Sequence, residues 1–383
     1  MINLTEVAMT DSDVDPMMNA RQQGSEALRA ALAQAEVDGD LEAQNALQGE
    51  LGRALLAEDE TLPALACFEQ GLKIAQQLDD KQSGARHLAN QGLALGQIGN
   101  YALAMRAFRK AYGFAREITD DPLTFELLLR MAELERARKN PESAIGHLEE
   151  ALAIANQHRS INRALRVHLE HGQASWDLDE TDDAVEHFET ALRLAREAGD
   201  VAAQAHCLNT LGAFARSRRA MNEAAGYFAD ALSLSPGALS KPQRLAALAQ
   251  LGDIRFSQGE IEASRQLFSE GLTIAVSLGD RTSECRLLGS LGLIAADLDD
   301  PEEALRLAHQ SVALAQELSD ARLQGEQLLY LSMALSDHGD AEEALAACDA
   351  AITFFEGIEA SSHVQKAYEL RERLVGDPAD DEV

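Results

Sequence analysis

KPQRLAALAQLGDIRFSQGE (residues 241–260) and IEASRQLFSEGLTIAVSLGD (residues 261–280) together decide the fold of this 383-residue chain. In this stretch Gly252 is followed twelve residues on by Ser264, then by Phe268, Gly271 and Leu272, with Gly259-Glu260 between the two halves. Spacings of three and four put the small and bulky residues of each half on one helical face, and the Gly-Glu step separates two amphipathic helices.

Working outward, the same columns return every 40 residues. The first small column reads Gly52, Gly92, Ala132, Gly172, Gly212, Gly252, Gly292, Ser332. Twelve residues on, the second reads Ala64, Ala104, Ala144, Ala184, Ala224, Ser264, Ala304, Ala344. The bulky column four further on reads Phe68, Phe108, Leu148, Phe188, Phe228, Phe268, then the smaller Ala308 and Cys348. Eight units result: 41–80, 81–120, 121–160, 161–200, 201–240, 241–280, 281–320 and 321–360. Small residues let paired helices approach closely, and Asn140 or Asp300 can cap a second helix whose first turn takes Pro141 or Pro301. No single unit can bury its apolar face alone, so stability must come from stacking neighbours. Residues 16–40, opened by Asp15-Pro16, read as an amino-terminal capping helix and 361–375 as a closing one. Residues 1–15 and 376–383 read as disordered acidic tails. The prolines and glycine of 235–242 interrupt the array, as a bend or hinge would.

The order of Leu, Gly, Ala, Phe and Ala in these columns resembles the tetratricopeptide-repeat signature over residues 41–360. The 40-residue form is similar to the polarity scaffolds with Leu-Gly-Asn repeats, to kinesin light chains and to the sensor domain of the maltose-regulon activator. The resemblance implies an all-α, right-handed α-solenoid of eight tandem helical hairpins with a capping helix at each end. It also implies a concave groove lined by the first helix of each unit.

Composition agrees with an all-α chain: 46% of residues are hydrophobic, only 4% are aromatic, and residues that enter helices at low cost dominate. The net charge of −31 excludes nucleic acid as a natural partner, because a phosphate backbone would be repelled by such a field. No apolar run is long enough to span a membrane and no export signal opens the chain, so membrane insertion is not expected. Cys67, Cys207, Cys285 and Cys348 have neither zinc-site nor disulfide spacing, which points to reduced cysteines and a cytoplasmic protein.

Motifs of catalysis are missing. No phosphate loop, nucleophile elbow or metalloprotease pattern occurs, so neither an enzyme nor a cofactor is expected. His168 and His171 with His187 have the look of a metal-ligand set, but His171 falls in a column otherwise filled by leucines, which favours a packing role. Candidate binding residues come from the resemblance, which implies that certain first-helix positions face the groove. Six residues before the small column stand Arg86, Arg166, His206 and Arg286; two before it stand Asn90, Arg130 and Tyr330; four after it stands Trp176, the only tryptophan. Only the second unit, with Arg86 and Asn90, matches both positions that engage peptides in the polarity scaffolds. An Arg fork clamps a carboxylate and Asn satisfies an extended backbone.

Charge is uneven along the array, with residues 101–140 at net +2 and residues 281–383 at net −15. The expected function is an adaptor that binds a protein segment or helix, including one with acidic stretches, in its groove; self-association is compatible with the same surface. The rival is a sensor whose superhelix answers a small peptide or metabolite and switches a separate protein.

Overall fold

The computed structural model describes residues 21–234 and 237–375. The expected tails at 1–15 and 376–383, residues 16–20 of the expected cap, and Ser235 and Pro236 lie outside the described residues. Among the described residues the chain is all-helical, with eighteen helices and no strand, packed as consecutive pairs of the tetratricopeptide type. It divides into two compact units. In the first, α1 (Arg21–Asp38) precedes four hairpins: α2 (Leu41–Ala57) with α3 (Thr61–Gln77), α4 (Lys81–Gln97) with α5 (Tyr101–Glu117), α6 (Asp121–Ala137) with α7 (Pro141–Gln157), and α8 (Ile161–Asp177) with α9 (Thr181–Ala198). In the second, α10 (Val201–Ser217) pairs with α11 (Met221–Ser233), α12 (Lys241–Ser257) with α13 (Ile261–Leu278), α14 (Arg281–Asp297) with α15 (Pro301–Leu318) and α16 (Ala321–His338) with α17 (Ala341–Gly357); α18 (Ser361–Val375) closes the stack.

Both ends of each helix are written locally. First helices open on Asp40, Asp80, Asp120, Ser160, Asp200, Ser240, Asp280 and Asp320, whose side chains each accept the N–H three residues on. Such a cap satisfies a donor the helix cannot, worth about 1 kcal/mol. Second-helix caps are less uniform. Asp300 accepts from Glu303 N as expected, but Asn140 makes no such bond. Its amide NH2 instead donates to the nearly buried Glu135 carboxylate, a charge-assisted bond that fixes the amide, and to Ser143 Oγ. At nearly every turn one residue takes a left-handed conformation, from Gly39 and Asp59 through Thr119 to Glu359.

Gly and Phe interlock across five of the eight pairs. A Cβ on Gly52, Gly92, Gly172, Gly212 or Gly252 would lie 2.4 to 2.8 Å from the ring of Phe68, Phe108, Phe188, Phe228 or Phe268. Where the column carries Ala132 its partner is the smaller Leu148, and both are fully buried. Serines in these columns keep their hydroxyls satisfied: Ser264 donates to Gly252 O at 2.9 Å and Ser332 to Ala344 O at 2.7 Å. The first unit's main core runs from Ala85 through Phe108, Leu128 and Leu148 to Ala174. The second unit's runs from Leu245 through Phe268 and Leu291 to Ala347. The expected interruption is visible as a short α11, thirteen residues against seventeen or eighteen in the other second helices, followed by a capping box at Ser240 and Gln243.

Candidate functional site

Two stretches of the first-helix face carry the expected binding residues, and their electrostatics differ. In the first unit Arg130, Arg136 and Arg166 are spent internally. Arg166 forms a two-pronged pair with Glu126, its second nitrogen at 2.9 Å, and its guanidinium lies 5.6 Å from the Phe125 ring centroid. Arg130 pairs with Glu133 at 2.9 Å, and Arg136 reaches Glu170 at 2.9 Å and Asp177 at 2.8 Å. Burial pushes the Glu170 carboxyl up, Glu133 adds to it, and Arg136 pulls the other way. Trp176 stands next to Asp177 on α8 and is 37% exposed. Arg86 is exposed on α4 with no ion pair among the described residues, and Asn90, one turn on, is half-buried.

One stretch of the second unit differs. A cleft of about 680 Å³ opens between α10 and α12, closed on one side by the start of α11. Its lining is apolar at Phe228, Met221, Ala246 and Ala247 and polar at His206, Asn209, Arg216 and Arg219. Arg216 and Arg219 are exposed and have no ion pair among the described residues. Asn209 Oδ1 is shielded from water and accepts no hydrogen bond. A shielded acceptor without a donor costs roughly 1–3 kcal/mol. Partial burial of the His206 ring lowers its pKa below the usual imidazole value.

Just beyond the cleft, Asp253 on α12 feels both Arg216 and Arg286, yet desolvation dominates and raises its carboxyl above the usual range. Tyr330 on α16 is raised by burial, then by Glu326 and Asp253, against Arg286. Of the sequence candidates, His206 lines the cleft and Arg286 and Tyr330 share an electrostatic neighbourhood with Asp253 in the same unit. Arg86, Asn90, Arg130, Arg166 and Trp176 belong to the first unit. The sequence left Asn209, Arg216, Arg219 and Asp253 without a role. Arg216 stands in the Trp176 column and Asp253 follows the column glycine, but whether an arginine is paired depends on residues about a repeat away.

The histidines come together in the first unit. His168 Nδ1 and His187 Nδ1 are 2.9 Å apart, and His171 stacks on His187 with ring centroids 3.8 Å apart. Burial lowers all three, His187 to about 4. Among the described residues no group of three or more ligating side chains is placed to hold a metal. The thiols are poor nucleophiles: burial pushes Cys207 up to about 12 and Cys285 to about 11. None of the described helices is long and apolar enough to cross a membrane.

Comparison with known proteins places these features. Tetratricopeptide-repeat profiles match residues 243–317 and 85–117, and a profile for anaphase-promoting complex subunit 5 matches residues 165–218. No curated protein matches the chain in sequence. Among solved structures, it is similar to a Signal Transduction ATPase with Numerous Domains protein with a tetratricopeptide repeat sensor from Pyrococcus horikoshii. That match has 12% identity and a TM-score of 0.63, covering 94% of this chain and 56% of that one. The apo form of RapI aligns at 13% identity and TM-score 0.55, covering 89% of this chain and 98% of that one. Aspartyl phosphate phosphatase F from Bacillus subtilis aligns at 15% identity and TM-score 0.51, covering 91% and 96%. At these identities the likeness is one of fold.

Proposed function

From the premise that this chain is a tetratricopeptide-repeat protein, we propose that it is a non-catalytic adaptor holding an extended, acidic segment of a partner protein in the cleft between α10 and α12. The observation that carries this reading is the combination in one cleft of two exposed arginines, with no ion pair among the described residues, and an apolar lining. An extended peptide supplies the matching groups: a carboxylate for the Arg216 and Arg219 forks and an apolar side chain for the space beside Phe228 and Met221. Arg286 and Tyr330 then extend the same face toward α14 and α16. In the first unit, where Arg130, Arg136 and Arg166 are already neutralised, a ligand carboxylate would have to displace a partner of the same chemistry.

The test is selection of random dodecamer peptides on the immobilised full chain. Enriched peptides should pair an acidic with an apolar residue. Replacing both Arg216 and Arg219 by Ala should weaken them about tenfold or more, or about 1.4 kcal/mol. Enrichment that survives this double substitution unchanged would move the binding face elsewhere.

A further inference from the structure

A second charged surface lies on the other helix of a hairpin. On α5, Arg106, Arg109 and Lys110 line a cleft of about 400 Å³ with Arg138 from the end of α6. It sits within the one tract, 101–140, whose net charge was counted above as +2 in a chain of net charge −31. Among the described residues, the ion pairs made by these four cations are those of Arg109 and Arg138 with Glu135. Glu135, its side chain 3% exposed, is 3.2 Å from an Arg138 nitrogen and 3.9 Å from Arg109. Asn140 also donates to it. Glu135 therefore fixes two guanidinium groups from beneath while leaving most of their donors turned outward, since each fork carries five N–H groups. Arg106 and Lys110 are exposed and have no ion pair among the described residues.

We infer that this cleft is a second docking site, for a run of Asp and Glu side chains on a protein partner. Charge complementarity selects the ligand. Four clustered cations over one buried carboxylate leave an excess of positive charge that two or three closely spaced carboxylates match. A nucleic acid is disfavoured because its backbone needs many contacts along its length, and the rest of this strongly negative chain would repel it. The site is separate from the α10–α12 cleft: it belongs to the first unit, is built mainly on a second helix and has a rim that is almost wholly cationic. Its contribution falls mostly on encounter rate and on salt dependence.

The experiment is fluorescence anisotropy of labelled deca-aspartate on the full chain at low salt. Arg106→Glu with Lys110→Glu should weaken binding about tenfold or more and flatten its salt dependence. Arg216→Glu with Arg219→Glu is run beside it to report any binding in the α10–α12 cleft, and a control reversal at exposed Arg265 should leave at least half the affinity. All these positions are exposed, so circular dichroism melts should coincide with wild type. Binding that survives the Arg106 and Lys110 reversals overturns the assignment. So does binding lost only with the Arg216 and Arg219 pair, which would return the probe to the proposed peptide cleft. A labelled oligothymidine that binds as tightly and with the same variant dependence overturns the protein-ligand assignment. A low-salt dimer in sedimentation velocity that dissociates on the Arg106 and Lys110 reversals overturns the separate partner in favour of a second copy.

Discussion

Replacing Gly252 by Ala probes the interlock that repeats through both units. The added Cβ would stand 2.4 Å from Phe268 Cε1 and 2.6 Å from Cδ1, in a core where Phe268 is 2% exposed. A ring packed on all sides cannot move away cheaply, and overpacking of this kind costs about 1–3 kcal/mol. Alanine in place of a mid-helix glycine returns about 1 kcal/mol of helix propensity. With the clash near the top of its range, Gly252→Ala should therefore lose about 2 kcal/mol. Phe268→Leu alone leaves a gap and loses about 1–2 kcal/mol. The double variant recreates the Ala132 and Leu148 pairing of the third repeat, so the alanine should become neutral or stabilising there. The resulting coupling energy is about 2 kcal/mol. Gly292→Ala is the control: its Cβ would meet Ala304 O at 3.4 Å and Leu307 Cβ at 3.5 Å, ordinary contacts opposite the small Ala308, so stability should hold or rise. Repeat arrays can unfold in parts, so the assay is the urea midpoint of the helical signal, compared across the four members of the cycle. Additive effects of Gly252→Ala and Phe268→Leu to within about 0.5 kcal/mol would refute the reasoning.

Other outcomes follow from particular side chains. His87 is buried, its Nε2 2.8 Å from Asn45 Oδ1 and its Nδ1 unpartnered, and desolvation lowers it from 6.5 to about 4. A depressed histidine means the unfolded chain binds the proton first. Its contribution is complete above pH 6.5 and is lost as pH falls toward 4, to a total of up to about 3 kcal/mol. Urea midpoints of wild type and His87→Leu should therefore converge on acidification; parallel curves would contradict this. Thr119 is a β-branched residue at φ 54°, so Thr119→Gly should raise stability by about 1 kcal/mol, and a lower midpoint would show that the turn is not strained. Arg166→Glu, which sets like charges beside Glu126, should lower the melting temperature, whereas Arg86→Glu on exposed α4 should stay within about 0.5 kcal/mol of wild type. Equal effects of the two would mean that the Arg166 pair carries no stability.

The hairpins were legible because their columns are made by steric contact between residues 12 to 20 apart, and the Gly52 and Phe68 columns report that contact directly. The capping column at Asp40, Asp80 and Ser160 is equally present in the sequence, one residue before each unit. Asn140 shows where local reading fails: it has the right residue type and place for a cap, but Glu135 claims its amide. The candidate site was legible only in part. His206, Arg286 and Tyr330 came from column position, whereas the contrast between spent Arg166 and unpaired Arg216 depends on which acids a neighbouring repeat supplies. Asn209 could not be singled out, since an orphaned acceptor is a property of packing.

The central claim is that a partner segment lies in the cleft between α10 and α12. Hydrogen–deuterium exchange on the full chain, with and without a selected dodecamer, tests it most directly. Protection concentrated in Val201–Ser217 and Lys241–Ser257, and abolished in the Arg216→Ala, Arg219→Ala double variant, is the predicted result. Protection confined to the first unit, or to second helices such as Ile261–Leu278, would contradict it.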